Sequence, residues 1–139
     1  MKIQEIINKR RYGRIRINYV NELYSDINEL LKLNGLLPEK ENLIEIEYKQ
    51  AKQIVVSLLN YGVAYKEEFM SIELANKYAN FLFQDLDEIN NKCFTNGEWN
   101  KYYETNDFGF NNLTESTFDG GVLVTTNNLH FCFWIEEED

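Results

Sequence analysis

A chain of 139 residues with 44% hydrophobic and 14% aromatic residues but a single Pro is long enough to bury one sizeable core, and its composition excludes a disordered or low-complexity polymer. Its formal charge of −9 is uneven: residues 1 to 16 carry six basic side chains against Glu5, a net of +5, while the remainder carries eight basic against 22 acidic residues, a net of −14. Such a field repels nucleic acid and anionic lipid and steers basic proteins inward, although acidity also serves solubility by itself.

Ile3, Ile6 and Ile7 have helical spacing, which predicts a short helix ending in Lys9-Arg10-Arg11 and interrupted at Gly13. The alternation Arg14-Ile15-Arg16-Ile17-Asn18-Tyr19 reads as an edge strand with charged residues guarding its outer face, or equally as the first turns of the next helix. Val20, Leu23, Ile27, Leu30 and Leu31 then recur at three and four residues, predicting a helix that stops at Asn34-Gly35. After a turn over residues 36 to 41, Asn42 to Glu47 reads as a short strand or lead-in. A helix follows from about Tyr48 to Gly62, with Ala51, Ile54, Val55, Leu58 and Leu59 on one stripe. Ser71 is an N-cap for a further helix whose stripe runs from Leu74 through Leu82 and Leu86 to Ile89.

From residue 90 to 117 the pattern changes. Asn90-Asn91 and Asn96-Gly97 are turn signals, and aromatic residues stand among Asn, Asp, Glu and Thr without a clean period. Short strands are expected near Cys93-Phe94 and Tyr102-Tyr103, because a structureless loop of this length is unusual in a compact domain. Gly120 to Ile135 then holds two alternating apolar runs around Asn127-Asn128, which predicts a β-hairpin at about 121 to 135 with a type I′ turn. In that register Val122 faces Phe133 and Val124 faces Phe131. The opposite face, with Leu123, Thr125, His130, Cys132 and Trp134, is too apolar to be wholly wet. Residues 136 to 139 read as a solvated acidic tail. The layout is one α+β domain spanning residues 1 to 139, with about three helices packed on an antiparallel sheet.

Chemistry is sparse in the sequence. His130 is the single histidine, and with Cys132 and Cys93 it lacks the spacing of a zinc site, so the bland reading is a packed strand. No Gly-x-Ser-x-Gly motif or phosphate-cradling glycine loop occurs. Glu115 and Asp119 are the nearest candidates for a carboxylate-dependent hydrolase, and frequent acids make such a pair expected by chance. No stretch approaches the 18 or so apolar residues of a membrane helix, and the amphipathic start is unlike a secretory signal. A cytoplasmic setting with reduced cysteines is therefore expected, with no cofactor, metal or catalytic residue. The basic start either meets an acidic partner or pairs with the protein's own acidic surface. The mixture of aromatics and carboxylates in residues 94 to 119, joined to Trp134 and the tail 136 to 139, reads as an interface for a basic protein, with Trp99, Tyr102, Tyr103, Asp107, Glu115 and Asp119 as contact residues. Packing of a loop-rich core edge is the alternative.

Phe94-Thr95-Asn96-Gly97, Ser116-Thr117-Phe118-Asp119-Gly120-Gly121-Val122 and Phe133-Trp134-Ile135-Glu136-Glu137-Glu138-Asp139 together resemble small acidic bacterial immunity proteins of contact-dependent inhibition and other polymorphic toxin systems. The resemblance covers mainly residues 94 to 139. It implies a cytoplasmic, non-enzymatic inhibitor, monomeric or a small homo-oligomer, that binds a cognate and often basic toxin such as a nuclease, without contacting nucleic acid or membrane itself. A phage or mobile-element protein that mimics nucleic acid to block a host nuclease is the competing expectation.

Overall fold

A computed structural model describes residues 2–21, 24, 26–64, 67–99 and 109–138. Helix α1 (Lys2–Arg10) leads into strand β1 (Arg14–Val20), then helix α2 (Ile27–Leu33), a short 3₁₀ turn (Lys40–Asn42), strand β2 (Ile44–Ile46), helices α3 (Tyr48–Asn60) and α4 (Ile72–Phe83), and strands β3 (Asn91–Thr95), β4 (Phe118–Thr126) and β5 (His130–Glu137). The strands form one antiparallel sheet in the order β1-β5-β4-β3-β2, an α+β arrangement with the carboxy-terminal hairpin at its centre.

Alternation along the central strands supplies two cores. Val122, Val124, Phe131, Phe133 and Ile135 point into the larger one with Ile6 of α1, the α3 stripe from Ala51 to Leu59 and Ala75, Tyr78, Ala79 and Leu82 of α4. Leu123, Cys132 and Trp134 point the other way, onto Leu31 of α2, Leu36 beyond it and Leu113. Both faces of the hairpin are covered, as its doubly apolar pattern predicts, and Val122↔Phe133 and Val124↔Phe131 are paired as expected.

Several predicted features differ. Neither Asn127 nor Asn128 takes the positive φ of a type I′ turn. The Thr126 hydroxyl accepts from Leu129 N–H at 3.1 Å instead, while Thr126 N–H donates to Leu129 O at 3.0 Å. The predicted helix through Val20 and Leu23 is shorter, because Val20 completes β1 against His130 of β5 and the helix starts only at Ile27, capped by the Asp26 carboxylate, which accepts from Asn28 N–H at 2.7 Å. Its end follows the expected stop: Leu36 N–H bonds to Leu31 O at 2.9 Å and Gly35 N–H to Lys32 O at 3.0 Å across a left-handed Gly35, φ 72°. Helix α4 ends at Phe83, short of the predicted stripe, leaving Ile89 84% exposed. The expected strand at Cys93-Phe94 is β3, whereas Tyr102 and Tyr103 lie outside the described residues.

The acidic tail is a correction. Glu136 and Glu137 belong to β5 and are buried, because alternation puts Glu137 in phase with Phe133 and Ile135 on the side of the larger core. Arg10 meets Glu137 there with both side chains at 0% exposure. The same guanidinium donates to Leu58 O and Tyr12 O at 2.8 Å each and stacks 4.7 Å from the Phe69 ring centroid, while Glu137 also accepts from Val63 and Ala64 N–H at 2.8 and 3.0 Å. Arg16 pairs with Glu136, so the basic start neutralises the protein's own carboxylates at these two places.

Candidate partner-binding surface

Two of the residues expected to meet a partner are turned inward. Asp119 is fully buried. It accepts hydrogen bonds from Leu113 N–H, Thr114 N–H and Oγ1, Asn96 Nδ2, Asn112 Nδ2 and Trp134 Nε1, all between 2.8 and 3.1 Å. A carboxylate so enclosed serves to fold residues 111 to 119 onto the sheet, and its oxygens have no open pocket in which to act on a substrate. Trp99 is also fully buried, its indole donating to Asn96 Oδ1 at 3.1 Å and lying 5.3 Å from the Phe110 ring. Gly120 makes room for it: a Cβ there would stand 2.2 Å from Trp99 Cζ2. A short ladder closes beside it, with Glu98 N–H bonded to Gly109 O at 2.9 Å and Asn111 N–H to Asn96 O at 2.8 Å.

Trp99 and Asp119 are therefore corrected from contact residues to internal supports, since neither offers surface in this fold. Glu115 is exposed. Tyr102, Tyr103 and Asp107 lie outside the described residues.

The groups with reactive potential are held by the strands. Cys93 lies in the larger core and Cys132 in the smaller, on opposite faces of the sheet, so they can share neither a disulfide nor a metal ion. Burial pushes both thiols up to about 12, far from a reactive thiolate. His130 faces Thr125 across β4 and β5, with Nδ1 at 2.9 Å from the Thr125 hydroxyl, and Tyr24 OH lies 2.7 Å from that same hydroxyl. A cavity of about 490 Å³ opens beside Tyr24, Ile89, Lys92 and Thr125.

A second acidic locus, which sequence reasoning passed over, forms where α4 ends. Tyr19 of β1 and Tyr48 of α3 donate their phenols to the terminal carbonyls Leu82 O and Phe83 O. Immediately beyond stand Asp85, Asp87 and Glu88, all exposed. Their charge is felt at the phenols. Burial and then Asp85 push Tyr19 up to about 12, and burial followed by Glu88 and Asp87 among its acidic neighbours raises Tyr48. Asp87 accepts from Asn90 and Ile89 N–H at 3.0 and 2.9 Å, which holds its carboxyl below the usual range. No basic residue occupies the last turn of α4.

Carboxylates at the negative end of a helix dipole oppose the fold. Asp87 is relieved by its two N–H donors, and Ile89 in the same stretch is the most exposed large hydrophobic side chain among the described residues. The signal in the sequence was Asp85-Leu86-Asp87-Glu88-Ile89, where the apolar stripe continues while the acids change from helix decoration to a terminal cluster. The arrangement can attract and hold a basic surface.

A scan against protein-family models finds no match, and comparisons with curated proteins and with solved structures likewise return none.

Proposed function

We propose that this chain is a stoichiometric protein inhibitor that captures a basic partner, and that the partner is a toxin domain against which the chain confers immunity. The observation that carries the reading is the acidic end of α4. Asp85 and Glu88 extend negative charge past a helix end that has no basic residue in its last turn, Asp87 is held there by Asn90 and Ile89 N–H, and Ile89 stands exposed in the same stretch, which gives an acidic surface with an apolar side chain open to a partner. Electrostatic steering brings a basic domain in, and the exposed Ile89 side chain anchors it.

The test is protection of cells that express any toxin domain found encoded next to this chain, together with co-purification of the two. Asp85→Lys with Glu88→Lys should slow association at least tenfold and abolish protection while the chain stays folded. Full protection by that variant, or no protection by the wild-type chain, would reject the reading. Inhibition of a nuclease that collapses with added salt, in the absence of any toxin, would instead favour nucleic-acid mimicry.

A further inference from the structure

Strand β1 borders the sheet, and its free edge has a definite phase. The Thr126 N–H to Leu129 O bond starts the alternation of the hairpin. Phe131, Phe133 and Ile135 thus turn their main-chain groups toward β4, while His130, Cys132, Trp134 and Glu136 turn theirs toward β1. Their partners on β1 are Val20, Asn18, Arg16 and Arg14. By the same alternation Ile15, Ile17 and Tyr19 direct their N–H and C=O groups outward, where no protein group among the described residues meets them. The side chains of these three residues are apolar and only partly buried at the rim of the larger core.

We propose that β1 pairs with β1 of a second copy, antiparallel about a two-fold axis at Ile17, joining the two sheets into one. In this register Ile15 stands opposite the partner's Tyr19 and Ile17 opposite the partner's Ile17, so every outward main-chain group finds its counterpart and the apolar rims meet. On the other face Arg16 stands opposite the partner's Asn18 and Arg14 opposite the partner's Val20, so no like charges are directly opposed. The two side chains nearest the axis do not guard the edge, because Arg16 is bound to Glu136 and Asn18 to Asn34 at 3.0 Å.

Charge permits this occupant. The edge lies in a stretch of +5 over residues 1 to 16 in which Arg10 and Arg16 are paired with Glu137 and Glu136, so two chains of −9 meet here away from their unpaired acidic surfaces. A strand from a strongly basic protein would meet repulsion at Arg11 and Arg14. Strand pairing alone makes an interface at the small end of the stable range, so association belongs at Kd on the order of 10–100 μM. This inference does not depend on the toxin reading.

Two measurements test it. Paired residues in an antiparallel ladder lie about 5.5 Å apart at Cα, within disulfide reach, and both native cysteines are buried. Under mild oxidation Ile17→Cys should give a covalent dimer, whereas Asn18→Cys, offset from itself in this register, should give little. Equal cross-linking of both variants, or none from either, would overturn the register. In sedimentation the unmodified chain should shift from monomer to dimer across the stated range. Ile17→Pro, which removes only an outward N–H, should remain monomeric with an unchanged far-UV spectrum. A wild-type chain that stays monomeric into the millimolar range, or a folded Ile17→Pro chain that still dimerises, would sink the proposal.

Discussion

Arg10 and Glu137, 127 positions apart, meet as a fully buried ion pair in which the carboxylate also holds two main-chain N–H groups between α3 and α4. Removing one partner strands the other charge in a dry site, at a cost of about 3–5 kcal/mol. Arg10→Met should therefore destabilise the chain by that order in urea unfolding. Adding Glu137→Gln should recover part of the loss, because the amide oxygen still accepts from Val63 and Ala64 without a charge to desolvate. An equal or greater loss in the double variant would refute the ion-pair account.

Asp119 gathers its donors from three separate stretches of chain, and the loss should be cooperative. Asp119→Ala leaves several buried N–H groups without an acceptor, and about 2–4 kcal/mol of stability should go with them. Asp119→Asn keeps the shape but turns an amide NH₂ toward main-chain donors, so it should recover little. Near-UV circular dichroism should register the release of Trp134 in both variants, and an Asp119→Asn chain as stable as wild type would contradict this role.

Gly120 and Gly109 make a matched pair of tests. A Cβ at Gly120 would collide with the Trp99 ring at 2.2 Å, whereas one at Gly109 would have no atom within 4 Å. Gly120→Ala should cost about 1–3 kcal/mol and shift tryptophan emission to longer wavelength as Trp99 is displaced. Gly109→Ala should change neither quantity measurably.

Stability should fall on the alkaline side. Burial raises the Cys132 thiol from 9.0 to about 12, with Arg16 opposing, and the Tyr19 phenol is raised from 10.0 to about 12. A group whose proton is held more tightly in the folded state contributes fully below its unfolded value and loses that contribution as pH climbs toward the folded one. Urea midpoints should therefore hold below about pH 9 and decline between roughly pH 9 and 12, with the Cys132 thiol contributing a slope of about 1.4 kcal/mol per pH unit. Cys132→Ala should start lower and fall less steeply, and an unchanged slope would assign the decline elsewhere.

Asp85 and Glu88 follow the carboxyl end of α4, whose dipole disfavours negative charge. Asp85→Lys and Glu88→Lys place cations at a helix carboxyl end and should raise Tm by about 2–4 °C in a thermal scan. Lower Tm in both variants would show that the two carboxylates are held by favourable contacts.

Much of the fold was legible where one period dominates. The hairpin, its register and its double covering follow from two alternating runs, and α3 and α4 follow from their stripes. Val20 misled because its spacing to Leu23 and Ile27 is helical, yet pairing with His130 on the far side of the chain decides its conformation. The inward carboxylates were harder, because their donors are distant in sequence. A local clue existed all the same, since Glu137 is in phase with Phe133 and Ile135, and an acid in phase with a core face calls for a buried partner. Trp99 and Asp119 looked like an interface because aromatic and acidic residues compose a polar, enclosed network as readily as a surface. Residue type alone does not separate the two.

The sheet order has a consequence for synthesis. Strand β1 is made early, but its neighbour in the sheet, β5, is the last of the five to leave the ribosome. Until then Arg10 lacks its anion and the Ile15 to Tyr19 edge lacks its inner strand, so the nascent chain waits as an open intermediate with apolar rims exposed. Messages broken before the codons for β5 would yield products unable to close, which quality-control proteases should remove soon after release.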